Sequence, residues 1–150
     1  YNVPGHTAID FTENGNAYFF TDSVLAGDKL KTKFHILPNR IIGGVNHVSV
    51  ADPFVRHLEG CTLMVWNGVT IVRLYQENFR LPDNLAVDYL IISNNSVKKL
   101  SALIGNIEAK RLILDSSNSF FRADKLLLEA QQHRMNIFSV PHYGAFDLII

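Results

Sequence analysis

Apolar and polar positions follow two different periods along this chain, and the change falls near residue 83. Before it, short runs at residues 7–11, 18–21, 34–37, 63–66 and 69–74 read as strands separated by turn residues. Two of the gaps are Asn14-Gly15 and Asn67-Gly68. A tight two-residue turn between antiparallel strands needs positive φ at both positions, which Asn and Gly reach at least cost, so the pattern predicts two hairpins. Pro38-Asn39-Arg40 and Gly43-Gly44 predict loops, and residues 52–58 have room for at most a short helix or a further strand.

After residue 83 the pattern becomes strand, helix, strand, helix, strand, with one more strand at the end. The run Leu85–Ile92 is apolar except around Asp88, and a second apolar run ends at Leu114. Residues 97–104 place Val97, Leu100, Leu103 and Ile104 at helical spacing, with Asn95 or Ser96 as the expected cap. Residues 120–134 repeat this with Leu126, Leu127 and Ala130, capped by Asn118 or Ser119, and His133 and Arg134 suit the negative end of that helix dipole. Strands are expected at 137–140 and 145–150. Right-handed crossovers make the first three strands of this half parallel, and the short Pro141–Gly144 link turns the last one antiparallel.

Composition narrows the possible roles. With 150 residues, 47% of them hydrophobic and 19% charged, the chain is expected to form one domain spanning 1–150 with a real core. Fourteen basic residues balance fourteen acidic ones, and no run of five like charges occurs, so the sequence carries no electrostatic footprint for nucleic acid or anionic membrane. No apolar run approaches the length of a membrane span, so the segment itself is expected to be soluble. Cys61, the single cysteine, excludes an internal disulfide and reads as a small buried hydrophobe. The chain starts without Met at Tyr1-Asn-Val-Pro and ends at Asp147-Leu-Ile-Ile150, inside strand-like sequence at both ends, which leads to the expectation of a domain excised from a larger protein.

Candidate chemistry concentrates where two apolar strands run into polar turns, at Ser93-Asn94-Asn95-Ser96 and at Asp115-Ser116-Ser117-Asn118-Ser119. In an open α/β sheet, ligands gather beyond the carboxyl ends of parallel strands, where these two turns are expected side by side. The residues there are Ser, Asn and Asp. They can cap helices and bond strand-end backbone, which accounts for most of them without a catalytic role. No serine sits in a Gly-x-Ser-x-Gly elbow, and no His lies near either turn in sequence to act as its base. The six histidines, at 6, 35, 47, 57, 133 and 142, form no i, i+2 or i, i+4 pair, so no metal motif is present. His35 alternates with apolar neighbours as a strand residue does, and His133 belongs to a solvated helix end. Trp66, Phe19, Phe20 and Phe79 are interleaved with few basic residues and are expected in the core, and Gly43-Gly44 lacks the strand, helix and Lys of a phosphate loop.

The order of these elements, with particular residues, resembles a known family. Val3-Pro-Gly-His-Thr-Ala-Ile-Asp-Phe11, the Asn14-Gly15 turn and Tyr18-Phe-Phe-Thr-Asp-Ser23 are similar to the opening of the metallo-β-lactamase-like domain that ends ComEC-type competence proteins. Val87-Asp-Tyr-Leu-Ile-Ile-Ser-Asn-Asn-Ser96 falls where that domain has Asp-x-Leu followed by His-His-Gly-Ser. Ala109-Lys-Arg-Leu-Ile-Leu-Asp-Ser116 with Asn118 falls on its next strand and Asn-containing loop, and Gly144-Ala-Phe146 on its closing strand. Residues 24–80 match poorly.

The resemblance implies an α/β fold, a degenerate metallo-β-lactamase-like sandwich in which N-terminal β-hairpins precede a β-α-β-α-β-β half. The family's Thr-His-x-His-x-Asp-His motif is absent, and Asn94 and Asn95 replace its His-His pair. A carboxamide is a poor ligand for a hydrolytic metal, which leaves Asp22 and Asp115 as isolated carboxylates. What the resemblance implies is therefore a non-catalytic domain with no cofactor, carried by a DNA-uptake membrane protein on the periplasmic face of the inner membrane. Its expected partner is the membrane channel domain of the same polypeptide, with single-stranded DNA as a further one. Residues expected to keep any contact are Asn94, Asn95, Ser96, Asp115, Ser117 and Asn118, with Asp22 and His142 at the rim. Two rivals stand beside it: a divergent hydrolase or nuclease with a metal site rebuilt from Asp22, Asp115, His6 and His142, and a single-strand-binding module whose affinity would fall with salt.

Overall fold

The computed structural model describes residues 1–50 and 54–149. Both Asn-Gly turns close hairpins as expected. Strand β1 (Ala8–Glu13) pairs antiparallel with β2 (Asn16–Thr21) around Asn14 and Gly15, whose φ angles are 50° and 77°. Three helices follow β2: α1 (Ser23–Gly27), α2 (Lys29–His35) and α3 (Leu37–Ile42). Strand β3 (His47–Ser49) then returns parallel to β2, completing a three-stranded sheet with β2 in the middle.

The helical stretch corrects the expectation of a strand at 34–37 and of a loop at 38–40. Asp22 accepts the N–H groups of Val24 and Leu25, and Asp28 accepts that of Lys31, so two acidic caps commit the chain to helix. Pro38 stands in the first turn of α3, where its missing N–H costs nothing. Neither edge of β2 is free to receive a strand there, because β1 and β3 occupy both. His35 accordingly lies at the end of α2 and not in a strand. The three helices are held by Leu25 and Ile36, both fully buried beside Phe19 and Val3, and by Arg40. The Arg40 guanidinium meets Asp10 of β1 through two bonds of 2.7 Å and lies 4.4 Å from the centre of the Phe19 ring.

The second sheet has six strands in sequence order: β4 (Val55–Leu58), β5 (Cys61–Trp66), β6 (Val69–Leu74), β7 (Leu85–Ile92), β8 (Ile107–Leu114) and β9 (Ile137–Ser139). The first three are joined antiparallel, and β6 through β9 run parallel. The parallel run of β7, β8 and β9 is the one the sequence predicts. Of residues 52–58, the strand option holds at β4, while Asp52 and Pro53 lie outside the described residues. Gly60, at φ 72°, links β4 to β5 with Asn78 O only 2.6 Å from where a Cβ would stand.

Helix α4 (Phe120–Gln132) forms with Ser119 as its cap, accepting from Arg122 N–H. The helix expected at 97–104 does not form; a single 3₁₀ turn at Leu100–Ala102 takes its place. Val97, Leu100 and Leu103 are buried as the spacing demands, but the Glu129 carboxylate of α4 takes the N–H groups of Leu100 and Ser101 at 2.8 and 2.9 Å. Those donors are then lost to an α-helical ladder. The strand expected at 145–150 is also absent over the described residues 144–149. Val140–Tyr143 form a short helix, α5, ended by Gly144 at φ 88°, and Phe146 folds back with its ring centre 5.8 Å from Tyr89 and 5.1 Å from Phe138. The tail thus covers the sheet face instead of extending its edge.

Strand alternation divides the six-stranded sheet into two buried faces. Cys61, Val72, Leu74, Leu90, Ile92, Leu112 and Leu114 pack under α4 with Ala123, Leu126 and Ala130. Met64, Ile71, Ile91 and Ile113 point the other way, to Phe11 and Phe20 of the smaller sheet. Burial on both faces is why the carboxyl ends of β7 and β8, Leu90–Ile92 and Leu112–Leu114, read as unbroken apolar runs.

Candidate functional site

At the carboxyl ends of the parallel strands the face toward the smaller sheet turns polar. Arg73, Ser93 and Asp115 each lie two residues beyond an apolar member of that face, Ile71, Ile91 and Ile113, and Thr7 meets them from the start of β1. All four are at least nine-tenths buried. Arg73 Nε donates to Ser93 Oγ at 2.8 Å and its Nη2 to Thr7 Oγ1 at 2.9 Å; both hydroxyls in turn donate to Asp115 Oδ2 at 2.6 Å. The other oxygen, Oδ1, accepts from Ser117 N–H at 3.0 Å, from Ser117 Oγ and from Asn118 Nδ2 at 3.3 Å. Arg73 and Asp115 therefore compensate each other through two relaying hydroxyls. Burial pulls the Arg73 guanidinium below its ordinary pKa, against the fields of Asp115 and Asp22.

The two turns do touch. Asn94 N–H donates to Ser117 Oγ at 2.7 Å and Asn95 N–H to Asn118 Oδ1 at 2.9 Å, while Asn95 Oδ1 accepts from Ser119 N–H at 3.0 Å. Asn94 and Asn95 both sit at φ 55°, a conformation that Asn tolerates better than most residues. Asn118 Nδ2 reaches Ile92 O at 2.6 Å, and Ser96 Oγ donates to Leu74 O at 2.9 Å. Asn95 and Ser96 thus bind neighbouring strand ends and the opposite turn, not the cap of a helix following them. Ser116 Oγ accepts from Val3 N–H at 3.0 Å and donates to His6 O at 2.9 Å, fastening the chain start to the same turn.

Asp22 lies at the end of β2. Its Oδ1 caps α1, its Oδ2 accepts Thr7 N–H at 3.1 Å, and His6 Nδ1 is 3.1 Å from Oδ2. Burial pushes this carboxyl up, but the N–H groups of Leu25 and Thr7 and the His6 ring outweigh it and hold the pKa below the ordinary carboxylate range. Lys31 Nζ stands 2.7 Å from His6 Nε2, so the network assigns the His6 proton to Nδ1 and leaves Nε2 accepting.

His142 lies apart, on α5. Its Nδ1 is 2.7 Å from Ser139 Oγ and its Nε2 is 2.8 Å from Asp124 Oδ1. The three residue types are those of a serine hydrolase, but Ser139 is fully buried and cannot meet a substrate. The contact ties α5 to α4.

A hydrolytic metal pair needs free carboxylate and imidazole lone pairs directed at one point. Asp115 meets five donor groups, Asp22 binds backbone N–H groups and His6, and both His6 nitrogens are engaged. Among the described residues no three His, Cys, Asp or Glu side chains are grouped to hold a metal ion. The residues present do not fit a metal pair.

Sequence reasoning missed Arg73 and Thr7, which complete the network. The signal was an arginine placed inside the strand pattern Val69–Leu74, two residues from Ile71 on the same face. The family model for the ComEC C-terminal domain matches residues 1–150. No curated protein and no solved structure matches. The chain belongs to the ComEC C-terminal domain family, that of competence membrane proteins for DNA uptake.

Proposed function

We propose, from that membership, that this domain is a non-catalytic docking module of a ComEC-type DNA-uptake membrane protein, on its periplasmic side. One observation carries the non-catalytic part: every acceptor that a metal would use at the strand ends already serves the fold. Asp115 binds Thr7, Ser93, Ser117 and Asn118, and Asp22 caps α1. The reading keeps the degenerate metallo-β-lactamase-like sandwich as its structural premise.

The docking part rests on α1–α3. Val24, Leu30, Phe34, Ile41 and Ile42 are each more than two-thirds exposed there. Large apolar side chains gathered on one short segment mark an interaction surface. No helix among the described residues is long and apolar enough to cross a membrane, so the membrane-embedded part of the protein is the occupant this surface is read to meet.

Metal content of the purified chain after exposure to zinc and manganese, together with cleavage of single-stranded DNA, tests the catalytic question. The expected result is substoichiometric metal and no cleavage. Stoichiometric metal with cleavage, both abolished in Asp115→Ala, overturns the reading in favour of the hydrolase. Docking is tested by co-purification of the chain with the membrane part expressed separately. Phe34→Lys with Ile42→Lys is expected to abolish it while leaving the thermal transition unchanged; retention of binding by this double variant would remove the docking claim.

A further inference from the structure

The two buried arginines are treated differently. Arg40 is paired directly with Asp10 through two bonds. Arg73, only 7% exposed, has no carboxylate within salt-bridge distance among the described residues. Its two bonds, to Ser93 and Thr7, employ two of the five N–H donors of a guanidinium. The Phe20 and Tyr75 rings flank the group, with its Cζ 5.6 and 5.1 Å from their centres.

Arg73 borders a pocket of about 330 Å³ between the sheets, with Thr62, His57, Tyr75 and Phe19 around it. Thr62 is 1% exposed, and its Oγ1 has no hydrogen-bond partner among the described residues. The strand register explains the grouping: His57 pairs with Thr62, and Thr62 with Arg73, across β4, β5 and β6. Three side chains that can donate to an oxygen thus form one lateral row on one sheet face. Among the described residues, no Asp or Glu lines this pocket.

A buried hydroxyl without a partner is costly, and the guanidinium N–H groups that Ser93 and Thr7 leave unused also need an acceptor. Arginine supplies a planar fork suited to phosphate oxygens, and the Thr hydroxyl and rim imidazole add donors outside that plane, which suits a tetrahedral oxyanion better than a flat carboxylate. We infer that this pocket is a binding site for a phosphate group, with Arg73 as its anchor, Thr62 as an inner donor and His57 at its rim. The pocket shares Arg73 with the Asp115 network but is lined by no residue of the two turns, and its occupancy is read as binding, so failure here leaves the non-catalytic reading intact and the reverse also holds.

Amide chemical shifts of the purified chain, followed during titration with inorganic phosphate at constant ionic strength, test it. Saturable shifts centred on Thr62, Arg73 and Tyr75 at millimolar phosphate or below are expected, with chloride producing none. Thr62→Val keeps the branched shape and removes the hydroxyl, and should weaken binding about tenfold. Arg73→Lys keeps the charge and loses the fork, and should weaken it further. A parallel titration with thymidine 5′-monophosphate distinguishes sources: tighter binding than phosphate assigns the site to a nucleotide-borne phosphate, and equal or weaker binding to the free ion. Absence of localised shifts, or a folded Thr62→Val chain that binds as the parent does, overturns the inference.

Discussion

Replacing Asp115 by Asn is the most informative single perturbation, because it keeps the shape and removes the charge. The carboxylate accepts Thr7 and Ser93 hydroxyls on one oxygen at 2.6 Å each, and both hydroxyls accept from Arg73. With an amide, either its N–H₂ faces those hydroxyls or it displaces the Ser117 N–H donor on the other side. Each bond to a charged group contributes about 1.5–3 kcal/mol, so loss of two costs about 3–6 kcal/mol. Breaking a buried charge pair by removing one partner falls in the same range. Against a total stability of about 5–15 kcal/mol that is a large fraction. In urea, followed by Trp66 fluorescence and helix circular dichroism, a loss of about 4 kcal/mol at a slope of about 2 kcal/mol/M lowers the midpoint by about 2 M. Ser117→Ala, which deletes one donor and no charge, should cost only about 1 kcal/mol. If Asp115→Asn moves the midpoint no more than Ser117→Ala at unchanged slope, Asp115 does not hold the strand ends together.

Asn95→Ala removes the acceptor of Ser119 N–H and places Ala at φ 55°, and should cost about 1–2 kcal/mol in urea denaturation; Asn95→Gly relieves the backbone strain and should cost less, an ordering that fails if the clasp does not matter. Arg40→Ala leaves Asp10 buried without its cation, with an expected cost of about 3–5 kcal/mol and faster tryptic cleavage at Lys29 and Lys33 as α2 comes loose; unchanged cleavage contradicts this. Gly60→Ala drives a Cβ against Asn78 O at 2.6 Å in a left-handed position and should lower Tm measurably, and an unaltered Tm refutes the packing there. The folded-state pKa of Asp22 is depressed, so its stabilisation is fully present above the ordinary carboxylate value of about 3.9 and is lost as pH falls through the folded-state value. Stability measured between neutral pH and that acid window should fall less steeply in Asp22→Asn than in the parent, and equal slopes refute it.

Local chemistry made much of this protein legible without coordinates. Two Asn-Gly pairs, at 14–15 and 67–68, specify their hairpins because few residues other than Asn and Gly accept the φ angles required. The doubly buried carboxyl ends of β7 and β8 announce themselves as apolar runs, and α4 by its spacing and its Ser119 cap. The adjacency of the two turns followed from parallel pairing alone. These signals lie within a few residues of the backbone they control.

Tertiary structure decided the remainder, where a residue's partner lies far along the chain. Residues 97–104 have helical spacing, but Glu129 captures the N–H groups a helix would use. Residues 34–37 look strand-like, but both edges of β2 are taken and the Asp28 cap turns them helical. The tail beyond Gly144 has strand composition and instead lays Phe146 on Tyr89 and Phe138. Arg73 and Thr7 are 66 positions apart and become neighbours only when β6 of one sheet meets β1 of the other. Sequence alone determined which segments could pair and where polar turns end them; which of those polar groups spend their bonds on each other is settled by long-range packing, because a buried donor takes whatever acceptor the fold brings to it.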